Sequence, residues 1–128
     1  MIAVGIDVSK SKSTVAILSS SGEILAKPFD IQHIESELNS FISYLTSLDE
    51  DVKIVMEATG HYHLPILKQL LAANLFVCVM NPYLMKKYGD NEIRKGKTDK
   101  KDAMRMAVYA LEKSYALTPY SIVDQRYA

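Results

Sequence analysis

Hydrophobic and polar positions along the chain change period several times, and each change marks an element. The run Ile2-Ala3-Val4-Gly5-Ile6-Asp7-Val8 has no polar alternation and carries a single carboxylate. Small and β-branched side chains in such a run predict a strand buried on both faces. After the polar turn Ser9-Lys10-Ser11-Lys12, the segment Thr14-Val15-Ala16-Ile17-Leu18 predicts a second strand. A turn at Ser19-Ser20-Ser21-Gly22, where Gly22 suits positive φ, leads into a third strand over Glu23–Phe29. Pro28 has no N–H for a ladder, so this strand belongs at a sheet edge or ends there.

The period then lengthens. Ile34, Leu38, Phe41, Ile42, Leu45 and Leu48 lie along one face of an amphipathic helix, with Asp30 expected near its N-cap and Asp49-Glu50-Asp51 closing it. Val52–Glu57 predicts a fourth strand, followed by the turn Ala58-Thr59-Gly60. A second helix is expected from Tyr62 to Ala73, with Pro65 in its first turn, Leu67, Leu70 and Leu71 inward, and Asn74 closing it in the left-handed conformation. Leu75–Met80 predicts a fifth, buried strand that Asn81-Pro82 stops. A short helix over Tyr83–Tyr88 and a polar loop from Gly89 to Lys97 come next. Thr98 can cap a final helix whose inner face is Ala103, Met106, Ala107, Ala110 and Leu111, with Pro119 ending the pattern. The order β-β-β-α-β-α-β-α predicts an α/β fold, a mixed five-stranded sheet with helices on its faces.

The 128 residues suffice for one domain with a sizeable core. No apolar run approaches a membrane span, and no basic-then-apolar leader opens the chain. The single cysteine, Cys78, lies in the fifth apolar run and reads as a buried residue of a reducing compartment, so a cytoplasmic protein without a membrane partner is expected. Net charge is zero, yet its distribution is not even: residues 1–85 hold five Lys/Arg against nine Asp/Glu, and residues 86–105 hold eight against four. A global charge argument for nucleic acid fails, and a local one survives.

Four carboxylates stand out by position. Asp7 and Glu57 end the first and fourth strands, and Asp99 and Asp102 share one face of the last helix. If the two strands are parallel neighbours, the four converge, and converging carboxylates raise one another's pKa. Two Mg²⁺ or Mn²⁺ ions would relieve the repulsion and suit phosphodiester chemistry. Each acid also has a plainer reading: Asp7 and Glu57 as turn residues, Asp99 as a helix-dipole partner, Asp102 as a partner of nearby lysines. Lys86, Lys87, Arg94, Lys95, Lys97, Lys100, Lys101 and Arg105 surround the helical pair and are candidate phosphate contacts, with Tyr83 and Tyr88 available to stack on bases. A solvated charged loop is the alternative. His61 and His63 match no zinc spacing, although His61 could contact phosphate. Ser9, Ser11 and Ser13 lack a nucleophile context.

Gly5-Ile6-Asp7-Val8-Ser9-Lys10, Glu57-Ala58-Thr59-Gly60-His61-Tyr62, Asn81-Pro82 and Lys97-Thr98-Asp99-Lys100-Lys101-Asp102-Ala103, in that order, resemble the N-terminal domain of IS-one-ten-type insertion-sequence transposases, a family that includes the Piv DNA invertases. The resemblance implies an RNase H-like, RuvC-like domain over residues 1–116, with 117–128 a tail. It implies a catalytic, metal-binding DEDD tetrad of Asp7, Glu57, Asp99 and Asp102, using Mg²⁺ or Mn²⁺ in DNA transposition and recombination. It further implies a structured guide RNA, a homo-oligomer, and a downstream domain bearing a nucleophilic serine, before which this chain stops. Full recombination by these residues alone is therefore not expected. Other functions compatible with the residues are a stand-alone Holliday-junction resolvase-like nuclease and a non-catalytic nucleic-acid-binding module. A phosphotransferase of the actin and sugar-kinase type shares the Gly-Ile-Asp strand but needs a second lobe that this length excludes.

Overall fold

The computed structural model describes residues 1–57, 62–81 and 99–120. Within them five strands form one sheet: β1 (Ile2–Val8), β2 (Lys12–Leu18), β3 (Ile24–Gln32), β4 (Val52–Glu57) and β5 (Phe76–Met80). Their spatial order is β3-β2-β1-β4-β5. The first three make the antiparallel meander, and β4 and β5 run parallel to β1. Three helices among the described residues cover the sheet: α1 (Glu35–Ser47), α2 (Leu64–Ala72) and α3 (Asp99–Glu112). Among the described residues no helix is long and apolar enough to cross a membrane. The mixed, helix-covered sheet expected from the pattern is therefore present.

β1 is central and buried along its whole length, which is why its sequence shows no alternation. Its even-numbered residues, Ile2, Val4, Ile6 and Val8, join Val15, Ile17, Ile54 and Met56 in a core closed by Leu38, Phe41 and Leu45 of α1 and Ile66, Leu67 and Leu70 of α2. On the opposite face Ala3, Ala16, Val55 and Cys78 meet Ala103, Met106, Ala107 and Ala110 of α3. This second core is thin, because alanine against alanine lets helix and sheet approach closely. At Gly5 the approach is closest: a Cβ there would overlap the Ala103 carbonyl oxygen and the Ala107 nitrogen, and would come within 2.9 Å of the Met106 carbonyl carbon.

Several boundaries differ from expectation. β3 continues through Pro28 to Gln32; Pro28 lies on the edge strand between the pairs Ala26↔Ile17 and Phe29↔Val15, where the register shifts, a place that tolerates proline. Asp30 is consequently a strand residue and not a helix cap. Its Oδ1 accepts from Thr14 Oγ1 at 2.7 Å, and Lys12 Nζ donates to Oδ2 at 3.2 Å. The N-cap of α1 is Ile34, 52% exposed and outside the apolar face to which its spacing assigned it. Both turn expectations tied to φ are met, with Gly22 at +89° and Asn74 at +62°. Beyond α3, a 3₁₀ turn (Ser114–Ala116) leads to residues 117–120, where the Tyr120 N–H donates to the Val77 carbonyl of β5 at 2.8 Å. The expected turn at 58–60, the short helix at 83–88, the loop at 89–97 and the Thr98 cap lie outside the described residues, as do His61, Tyr83 and Tyr88.

Candidate metal centre

Parallel pairing of β1 with β4 runs in register from Ile2↔Val52 to Ile6↔Met56. One step further along both strands stand Asp7 and Glu57, at the carboxyl ends where open α/β sheets place their ligands. Asp7 projects to the α3 face, as do Ala3 and Gly5 (side chains alternate along a strand). There it meets the first turn of α3. Asp7, Asp99 and Asp102 each bring a carboxylate oxygen within 4.8 Å of the other two. Two oxygens on opposite sides of one hard cation lie about 4 to 5 Å apart, given metal–oxygen distances of about 2.0 to 2.6 Å. The trio therefore has the spacing and the donor chemistry to hold a divalent ion. Glu57 is not within that tight group, but its charge reaches Asp7.

Electrostatics mark Asp7 as the pivotal member. It is 9% exposed in a central strand. Burial, then a hydrogen bond shared with the Asp99 carboxyl, then the charges of Asp102, Asp99 and Glu57, push its pKa from 3.8 up to about 7. A carboxylate so disfavoured as an anion is poised to gain a cation. Arg105 gives partial relief, since its Nη1 donates to Asp102 Oδ1 at 3.0 Å with side-chain exposures of 12% and 16%. Arg105, a candidate phosphate contact by its place in the sequence, is thus a partner of the acids.

An Arg105→Met variant is expected to lower metal-free stability by about 1–2 kcal/mol, since removing one member of a partly buried pair strands the other charge. Thermal melts with and without Mg²⁺ check this, because added cation should restore most of the loss.

Lys100 and Lys101, also nominated for nucleic acid, are exposed on the first turn of α3. Lys86, Lys87, Arg94, Lys95 and Lys97 lie outside the described residues. His63 is buried at the N-terminus of α2. Ser13 Oγ sits 2.7 Å from His33 Nε2, a pairing that spacing alone did not suggest. Ser13 pairs with Val8, one position out of phase with Asp7, so this couple lies on the other face of the sheet. An apolar groove of about 420 Å³ lined by Ala26, Phe29, Ile31 and Phe41 is on that same far face.

Comparison with known proteins bears on this arrangement directly. Residues 4–128 match the IS110-type DEDD transposases, a family described as transposase. The chain belongs to that family. Among solved structures, this transposase-family chain is similar to Thermus thermophilus RuvC, with a TM-score of 0.67 at 12% identity, covering 94% of this chain and 100% of that one. It is also similar to T. thermophilus RuvC in complex with a Holliday junction substrate, with a TM-score of 0.63 at 11% identity, covering 94% of this chain and 99% of that one. At such identity the likeness is one of fold, and the fold is RuvC-like, within the RNase H-like class. No curated protein matches the sequence. The transposase-family chain thus combines a RuvC-like fold with an acidic cluster spaced for a metal ion.

Proposed function

We propose that this domain cleaves or transfers DNA phosphodiesters with divalent metal, Mg²⁺ or Mn²⁺, held by Asp7, Asp99 and Asp102 with Glu57 beside them, in DNA transposition and recombination. The observation that carries the proposal is the convergence of the three aspartates, one of them buried in the central strand. Asp7, Asp99 and Asp102 would hold the ion, which would supply Lewis-acid activation of the phosphodiester and of the attacking hydroxyl. The protein supplies rigidity. Asp7 is fixed by a strand paired on both sides, Asp99 and Asp102 by a helix laid against Gly5, and Asp102 is further oriented by Arg105.

The wider reading that goes with this proposal is a domain over residues 1–116, a guide RNA, a homo-oligomer and a partner domain bearing a nucleophilic serine; the family match itself runs from residue 4 to residue 128. The Holliday junction bound by a structural neighbour makes branched DNA the natural first substrate to try.

Calorimetric titration with Mn²⁺ tests the proposal. Saturable binding is expected, weakened about ten- to a hundredfold in Asp99→Asn, whose exposed side chain can be changed with little effect on the fold. Absence of saturable binding, or an unchanged affinity in the variant, would overturn the metal assignment.

A further inference from the structure

One polar constellation outside the carboxylate trio shares its sheet face. The register places Asp7 of β1 opposite Thr14 of β2, and Thr14 opposite Asp30 of β3. Directly opposite residues point to the same face, so these three form a row leading away from the metal centre toward the meander edge. Lys12 lies two residues before Thr14, hence on that face too. Its carbonyl accepts from the Ser9 N–H at 2.8 Å, which places it beyond the carboxyl end of β1, at the mouth of the site. Adjacent strands are about 4.8 Å apart. Lys12 is therefore offset by one strand and two residues from Asp7, a short lateral step for a polynucleotide backbone.

Within this constellation the cation is restrained but available. Thr14 Oγ1 fixes one oxygen of Asp30, and the other oxygen receives the Lys12 ammonium at 3.2 Å. The Lys12 and Asp30 side chains are 40% and 41% exposed. Lys100, on the first turn of α3, adds its charge to the field at Asp30. One lysine and one hydroxyl thus contact this carboxylate at the mouth, within the field of a second lysine from another element. An ammonium has three donors, and the Asp30 contact engages only one.

We propose that Lys12 is a DNA-backbone contact beside the carboxylate centre, held at the mouth by Asp30 and transferred to a phosphate when DNA binds. This rests on the functional reading above and names a contact for the same site. Asp30 is a positioning residue that offsets the ammonium in the free protein and keeps it from searching solvent.

The test measures binding of the full chain to a fluorescein-labelled DNA duplex and to its single strand by anisotropy, with Ca²⁺ in place of Mg²⁺, over a range of salt. In Lys12→Gln the logarithmic salt slope is expected to fall by about one, so that the affinity ratio between about 50 and 200 mM salt shrinks roughly threefold. Asp30→Asn is expected to tighten binding in the wild-type background and to do nothing in the Lys12→Gln background. Lys53→Gln serves as a charge-matched control, since Lys53 lies at the other end of the sheet over the Phe76 ring, and it is expected to leave the slope unchanged.

An equal fall for Lys53→Gln, or equal tightening by Asp30→Asn in both backgrounds, would mean a net-charge effect and overturn the proposal. An unchanged slope in Lys12→Gln would overturn it while leaving the metal reading intact. Lys12-dependent DNA binding without Mn²⁺ binding would sink the metal reading and keep this one. No DNA binding by the wild type would sink both.

Discussion

Replacing Gly5 with valine is expected to abolish metal binding and to destabilise the fold by about 3 kcal/mol. No atom of Gly5 belongs to the site. Its importance lies in what the missing side chain allows: the backbone of α3 at Ala103, Met106 and Ala107 occupies the space a Cβ would fill. Those are backbone atoms, so no rotamer change relieves the overlap and the helix must shift. Asp102 is the residue before Ala103, and a shift of about 1 Å would carry both helical aspartates out of register with Asp7. Gly5→Ala should act in the same direction with smaller amplitude. Urea unfolding combined with Mn²⁺ calorimetry separates the two losses. A Gly5→Ala protein that is destabilised yet binds metal like the wild type would show that the close approach serves packing alone.

Replacing Asp7 with asparagine is expected to do two things that pull apart: eliminate metal binding and raise metal-free stability. The sign follows from linkage. Below pH 3.8 the carboxyl is protonated in both folded and unfolded chains and contributes nothing. Between 3.8 and about 7 the unfolded chain releases a proton that the folded one keeps, so stability falls as pH rises. Above about 7 the folded protein carries the full cost of the buried anion. Asparagine has no such cost, and at pH 8 the variant should be more stable by about 2 kcal/mol, roughly half the full linkage value because water reaches the mouth of the site. Saturating Mg²⁺ should reverse the ranking, since only the wild type gains from it. Melting curves from pH 4 to 8, with and without Mg²⁺, read both effects. A variant less stable than the wild type at pH 8 without metal would mean that Asp7 is held as a satisfied anion.

The sequence made the sheet and its helices legible because their burial is one-sided or complete, and both leave a periodic trace. β1 and β4 begin and end where their apolar runs do. β3 was harder to read. Its outer half, Pro28 to Gln32, alternates proline, aromatic and charged residues, and Asp30 four positions before an apolar helical stripe looks like a cap. What makes it a strand is non-local: Lys12 and Thr14 on β2 supply partners that no window around residue 30 contains. The candidate site divides in the same way. Asp7, Asp99 and Asp102 could be nominated from strand-end and helix-face logic, and the fold brings them together. The inward role of Arg105 could not be distinguished from that of its basic neighbours. An i,i+3 pair with Asp102 and an exposed lysine contact look alike until burial is known.

The acid cluster joins the first strand of the chain to its last helix: Asp7 has no partner aspartate until residues 99 and 102 have been made and α3 has docked. On a growing polypeptide that emerges N-terminus first, sheet and α1 can be in place while the centre does not yet exist. Whatever chemistry the three aspartates support is thus withheld from nascent and truncated chains by topology alone. It switches on as a late step of folding, with no inhibitor required.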